Sequence, residues 1–274
     1  MIENNSGGER MAKLGFLKAT SRWIRKPAQS TSPQLHARWL TSRRNILRAQ
    51  RLRCRTFSEE FGIRISPFGL DRDRFDRHCL HLGVEDRSTG ALIGYTRLLP
   101  GEAAGRLGGF YSRNEFELKN LAALPGHVVE VGRTCVHPDY RNGGTIAVLW
   151  AALAQYLFTA RVDYLIGCAS IPMADGGAGV ARIMPGLRER YLTDESLRVI
   201  PRLPVPRIAS SDAMAPYEER GSMPPLLKAY MRMGAKIAGE PCWDPDFNCA
   251  DVFILLEVSK MSRRYRDHFM AKAG

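Results

Sequence analysis

Apolar residues along this chain follow two rhythms, and the place where one gives way to the other organises the rest. From His127 to Val136 the pattern alternates and is rich in valine, as in a half-buried strand, whereas Ile146, Leu149, Trp150, Leu153 and Leu157 recur at helical spacing. The period changes across Arg141-Asn-Gly-Gly-Thr145, so the stretch reads strand, loop, helix. Upstream, Leu35 to Phe61 has a helical pattern with Ile46, Ala49, Arg53 and Phe57 on one face. His78 to Val84 and Ala91 to Leu99 form two strands around the hairpin signal Glu85-Asp-Arg-Ser-Thr-Gly90.

Downstream, Asp163 to Ser170 reads as a buried strand of the parallel type. A short helix is expected from Val180 to Tyr191 and another within Met223 to Met233, which begins with two prolines. Asp251 to Val258 is an apolar last strand, and Arg263 to Ala273 a basic tail helix. The order strand, strand, strand, helix, strand fits a mixed sheet with helices on its faces. Pro172 to Arg220, rich in glycine, proline and charge, reads as a lid or specificity connection.

Length and charge narrow this picture. The chain has 274 residues and is 45% hydrophobic, enough for one large mixed domain or two small ones. Its net charge of +12 points to acidic partners: a nucleic acid, an anionic bilayer surface or an acidic protein. The six cysteines lack metal-binding spacing and no signal-peptide core opens the chain, which fits a reducing cytoplasm. Cys54, Cys79, Cys135 and Cys168 are expected as buried thiols. No apolar run approaches the roughly 18 residues of a membrane helix. Met11 to Lys26 mixes Leu14, Leu17, Trp23 and Ile24 with five cations and reads either as an interfacial amphipathic segment or as a loose tail. His78, Cys79 and His81 cannot share a metal on a flat strand, because alternation sends His78 and Cys79 to opposite faces; no metal site is expected.

The glycine pair Gly143-Gly144 lets backbone approach a ligand, and the amides opening the next helix can donate to an anion; the same pair is also ordinary turn chemistry. Arg-x-x-Gly at such a turn resembles the acyl-donor loop of the GNAT acyltransferases, with Ile146 where that loop usually carries glycine or alanine. The resemblance then widens. Arg53-Cys-Arg-Thr-Phe57, Asp73-Arg-Phe-Asp76, Arg97-Leu-Leu-Pro100 and Glu130-Val-Gly-Arg133 follow a pattern that looks like the acyl-homoserine-lactone synthases. Val136-His-Pro-Asp-Tyr-Arg141, Gly167-Cys-Ala-Ser-Ile-Pro172, Pro224-Pro-Leu-Leu-Lys228 and Asp246-Phe-Asn through Asp251-Val-Phe-Ile254 are more similar to the ornithine-lipid N-acyltransferases. The match runs from about Arg43 to Phe269.

That resemblance implies a GNAT-like three-layer α/β fold, its central sheet mixed but mostly antiparallel and flanked by helices. It also implies a basic tail over 1–34 and an acyltransferase domain over 35–274 with an insertion at about 172–220. The implied reaction is attack of an amino acid's α-amine, typically ornithine's, on a 3-hydroxyacyl thioester of acyl carrier protein. Phosphopantetheine is the co-substrate, and no cofactor is bound. An acyl-homoserine-lactone-type signal synthase or an N-acyl amino acid synthase is the alternative enzyme, and a basic membrane- or nucleic-acid-binding protein the non-enzymatic one. The arginine cluster Arg43, Arg44, Arg48, Arg51, Arg53 and Arg55 lacks any nucleic-acid recognition motif, and a solvated face or a docking face for acidic carrier protein suits it better.

Roles follow from what the chemistry needs. The amine must lose a proton, for which Glu130 is the candidate base; the competing role is a salt bridge with Arg133, which a flat strand would put on its other face unless a bulge intervenes. Backbone amides around Val136 suit the thioester oxyanion, and Arg141, Gly143, Gly144 and Thr145 the donor phosphate. The acceptor's carboxylate calls for Arg97 or Arg133, and a side-chain ammonium for Asp73 or Asp76, with Arg53, Phe57 and Ser170 completing the acceptor site. Ion-pair scaffolding is the competing role for this charged set.

Overall fold

The computed structural model describes residues 33–122, 124–206, 223–262 and Tyr265. The interfacial segment Met11 to Lys26 therefore lies outside the described residues, as do most of the tail helix and residues 207–222 of the long connection.

Strand β1 (Leu35–Trp39) comes first, then α1 (Arg43–Phe61), capped by the Ser42 side chain at its start and by left-handed Gly62 at its end. The helical pattern assigned to Leu35–Phe61 thus fails over its first residues: Leu35 to Trp39 pair antiparallel with β2 (Leu80–Asp86), and such pairing overrides a short local pattern. β3 (Ala91–Pro100) completes the expected hairpin, and α2 (Gly101–Arg106), a single short helix, follows it. After β4 (Phe116–Glu117) the chain enters β5 (Val128–Val136), α3 (Gly144–Thr159) and β6 (Tyr164–Pro172), the expected strand, loop, helix and strand. α4 (Ala178–Tyr191), β7 (Ile200–Pro201), α5 (Pro225–Met233), β8 (Lys236–Ile237), β9 (Cys242–Asp244) and β10 (Cys249–Glu257) complete it.

The main sheet runs β1-β2-β3-β5-β6-β10-β8, with β9 also on β10; β5 and β6 are parallel and every other pair antiparallel. One face carries Val84, Ile93, Val129 and Leu165 against Leu149 and Leu153 of α3, Ile183 of α4 and Leu227 of α5. The other face packs Tyr95 and Cys135 on Phe57 and Leu52 of α1. The resulting order of helix, sheet and helix is the mixed, mostly antiparallel α/β arrangement expected.

Two irregularities at the centre of the sheet create the site. β5 and β6 pair only from Val128↔Tyr164 to Val131↔Gly167, so from Gly132 onward β5 has no partner on that side. At the parting point, a Cβ on Gly167 would collide with the Val131 carbonyl oxygen, so only glycine fits. On its other side β5 pairs with β3, and the register slips between Tyr95 and Arg97, so that Arg133 and Thr134 together face Thr96. This is a β-bulge, with Arg133 at a positive φ of 54°. A non-glycine residue there costs about 1–3 kcal/mol, a strain that tends to gather at functional positions.

Candidate active site

The parted strands enclose a cavity of about 260 Å³. The bulge turns Arg133 onto the face that carries Glu130 and Arg97, so residues three apart on β5 both reach this space.

Arg133 is held by rings and acids together. Its guanidinium carbon lies 4.8 Å from the centroid of Tyr111 and 4.8 Å from that of Phe247. Nε is 3.3 Å from Asp71 and Nη2 3.5 Å from Asp73, ion-pair contacts rather than aligned hydrogen bonds. The cation is thus stacked on aromatic faces, with Nε and Nη2 turned toward Asp71 and Asp73 while the guanidinium lines the cavity.

Glu130 does not pair with Arg133. Its carboxylate accepts the backbone N–H groups of Tyr111 at 2.6 Å and Ser112 at 2.8 Å, which begin a short 3₁₀ turn (Tyr111–Asn114). Burial pushes its pKa up, and the hydrogen bonds from Ser112 and Tyr111 only partly oppose that. A carboxylate raised in this way, on the wall of a cavity, is suited to take a proton near neutral pH.

Behind these two lies a chain of buried ion pairs. Arg53, 0% exposed, donates to Asp71 at 2.9 Å and Asp76 at 2.7 Å, while Arg97 donates to Asp73 at 2.7 Å and Asp76 at 2.6 Å. Asp73 also caps the turn Arg74–His78. The arginines hold the Asp76 carboxyl down at about 2 against the opposing effect of burial, and Asp73 is likewise lowered. This corrects the expectation that Asp73 or Asp76 receives an ammonium: both are consumed by arginines, and neither lines the cavity. Arg53 also stands behind the wall, whereas Phe57, Arg97 and Ser170 reach it.

At the donor end, the loop touches the cavity through Val136, Arg141, Gly143 and Ile146. Gly143 has φ 88°, a left-handed turn that lets α3 begin beside the cavity. Arg141 donates to the Val136 carbonyl at 3.1 Å and pairs with Glu60 at 2.9 Å. Two expected phosphate ligands are committed elsewhere. The Gly144 amide donates to the Asn142 side chain at 3.1 Å, and Thr145 is wholly buried, its hydroxyl donating to the Tyr140 carbonyl at 3.2 Å. Thr145 instead packs on β3 at Gly94, where a Cβ would come within 2.6 Å of its methyl group.

The opposite end is acidic, and residue patterns alone did not single it out. Glu115, Asp244 and Asp251 line it, with Ser170 donating to Asp251 at 2.6 Å. Asp244, Cys249 and Asp251 place ligand-type atoms within 4.8 Å of one another. His78, Cys79 and His81 do not converge: His78 is exposed, whereas His81 is buried between the Tyr95 hydroxyl (2.6 Å) and the Asp76 carbonyl (2.8 Å). Of the cysteines, Cys54 and Cys135 are buried and Cys79 and Cys168 half-buried, all as free thiols.

The acetyltransferase (GNAT) domain model matches residues 52–151, from α1 into α3. An L-ornithine N(alpha)-acyltransferase of Brucella abortus (strain 2308) is 34% identical over 253 residues, covering 88% of this chain and 90% of its own. The chain belongs to the L-ornithine Nα-acyltransferase family. A second such protein, from Rhizobium meliloti (strain 1021), is 31% identical over 292 residues, 97% of each chain. Like them the chain is an acyltransferase, and the cavity on its parted strands is the candidate site for an acyl donor and an amino-acid-like acceptor. Among solved structures, a CoA-dependent acyl-homoserine lactone synthase with MTA is similar at a TM-score of 0.52 and 14% identity, covering 88% of this chain and 89% of that one, a likeness of fold.

Proposed function

We propose that the chain transfers a 3-hydroxyacyl group from the phosphopantetheine of acyl carrier protein to the α-amine of L-ornithine, giving a lyso-ornithine lipid and free carrier. One observation carries this reading: a ring-stacked Arg133 and a pKa-raised Glu130 share a cavity beside an unpaired strand edge. Relatives named L-ornithine N(alpha)-acyltransferase supply the substrate.

In this mechanism Arg133, with Arg97 beside it, holds the acceptor's carboxylate and Glu130 takes a proton from its amine. The amine attacks the thioester carbonyl, and the free backbone amides of β5 near Val136 stabilise the oxyanion. The C–N bond forms, the C–S bond breaks, and Glu130 returns the proton to the departing thiolate. Ile146 narrows the donor end, which favours phosphopantetheine with its single phosphate over coenzyme A. On α1, Arg43, Arg44 and Arg51 are exposed and steer an acidic carrier protein; Arg48 of the same expected set pairs instead with Glu85 at 2.8 Å.

Residues 35–274 act as one acyltransferase unit in the cytoplasm, with 1–34 a basic tail and 172–220 an insertion. Among the described residues no helix is long and apolar enough to cross a membrane. Release of a lipid product favours peripheral contact with anionic lipid through Met11 to Lys26. Mass spectrometry of lipids from cells expressing the chain tests the reaction: an α-amide of ornithine is expected, and an acylated homoserine lactone or no new amide refutes it.

A further inference from the structure

The acidic end of the cavity has a different charge balance from the rest of the site. Asp71, Asp73 and Asp76 are matched by Arg53, Arg97 and Arg133. Among the described ion pairs, none contains Glu115, Asp244 or Asp251. These three come from separate segments: Glu115 follows the 3₁₀ turn that Glu130 anchors, Asp244 ends β9, and Asp251 lies on β10 opposite Ser170 of β6. Glu115 is only 8% exposed, yet its Oε2 has no hydrogen-bond partner and its side chain lines the cavity. An unpaired buried carboxylate is expensive, and each of these is pushed toward its protonated form: Glu115 by burial and the charge of Asp251, Asp251 by burial and the charge of Asp244, Asp244 mainly by burial. A cationic ligand would relieve all three at once.

We infer that Glu115, Asp244 and Asp251 form the pocket for the side-chain ammonium of a diamino-acid acceptor. This rests on the acyl-transfer reading above and adds the residues that select the acceptor. The donor count favours an ammonium. Ser170 already donates to Asp251, and the amides of Asp246 and Phe247 donate to Asp244 Oδ1 at 2.9 and 3.1 Å, so each carboxylate keeps acceptor capacity for one of an ammonium's three N–H groups. A divalent cation fits less well, because Cys249 is pushed well up by burial and by Asp251 and so stays a neutral thiol, a weak ligand. Arg133 acts electrostatically on both Asp244 and Asp251 and lines the same cavity, so one small zwitterion there can meet a cation for its carboxylate and the acidic trio for its ammonium. An acceptor held at both ends presents its α-amine to Glu130 in a fixed orientation.

The test compares kcat/KM for L-ornithine and for L-norvaline, the same carbon skeleton without the ammonium, using 3-hydroxyacyl-carrier protein as donor. The proteins are wild type, Glu115→Gln, Asp251→Asn and Asp244→Asn, the last at a half-exposed position that tolerates change. Wild type should favour ornithine by about 100-fold or more, since a site that leaves charged groups unpaired rejects the analogue strongly. Each variant should cut that preference by about tenfold or more, through a higher KM for ornithine. Three results overturn the inference while leaving amino-acid acylation standing: equal use of both acceptors by wild type, variants that lose both acceptors in proportion, or a divalent metal copurifying with the protein whose removal by chelator abolishes ornithine use. Failure of wild type to acylate any amino acid overturns the parent reading and this inference with it.

Discussion

Replacing Glu130 by glutamine separates chemistry from scaffolding, and the two make opposite demands. Both carboxylate oxygens accept a backbone N–H, from Tyr111 and from Ser112. Glutamine can accept with one oxygen only, and its NH₂ then faces the other N–H, donor against donor. Leaving that buried amide unpaired costs about 1–3 kcal/mol, partly offset because no charge is buried. For a domain of this size that lowers Tm by roughly 2–10 °C. Loss of a general base is larger on the rate axis: about 10²–10⁴ in kcat, or about 3–5 kcal/mol of barrier. The assay is kcat against pH with saturating ornithine and acyl-carrier protein, alongside a thermal melt. Because the carboxyl must be ionised to act and its pKa is raised by burial, wild-type kcat should climb as pH rises through that elevated value. In Glu130→Gln the limb should vanish, leaving only the rise that belongs to the amine. A variant whose kcat stays within tenfold of wild type, with the acid limb in place, refutes the base assignment and leaves Glu130 as the anchor of the 3₁₀ turn.

Arg53→Met should destabilise the protein by about 3–5 kcal/mol in urea denaturation, because Asp71 and Asp76 lose a fully buried partner; a cost below about 1 kcal/mol would show that Arg97 and Arg133 compensate. Asp76 sets an acid limit. Its folded pKa of about 2 lies below the ordinary 3.8, so its contribution, about 2.5 kcal/mol at 1.36 kcal/mol per pKa unit, is present above pH 4 and lost as pH falls through 2. Urea midpoints between pH 5 and pH 2 should record that loss, and midpoints independent of pH over this range contradict it. For donors, wild type should prefer acyl-carrier protein over the same chain on coenzyme A, and Ile146→Gly should narrow the gap; equal kcat/KM for both donors in wild type removes the steric argument.

The sequence by itself determined the elements whose patterns are long and strongly periodic. The β2–β3 hairpin, β5, α3, β6 and β10 all lie within a few residues of their expected spans, since burying one face of a strand or helix demands a period that local sequence must carry. Family wording also pointed to acyl transfer before any geometry. β1 escaped because five residues carry too little period to compete with the helix that follows, and only pairing with β2 fixes them. Tertiary structure alone decided the site. Whether Glu130 and Arg133 share a face depends on a one-residue bulge set by the register of β3 on β5, and no local pattern encodes a register slip. It also divided the acids into two kinds that look alike in sequence. Asp73 and Asp76 are spent on arginines, whereas Glu115, Asp244 and Asp251, dispersed along the chain, line one end of the cavity with no ion-pair partner among the described residues. Charge on a residue is a local property; whether a counter-charge reaches it is settled only when distant segments pack.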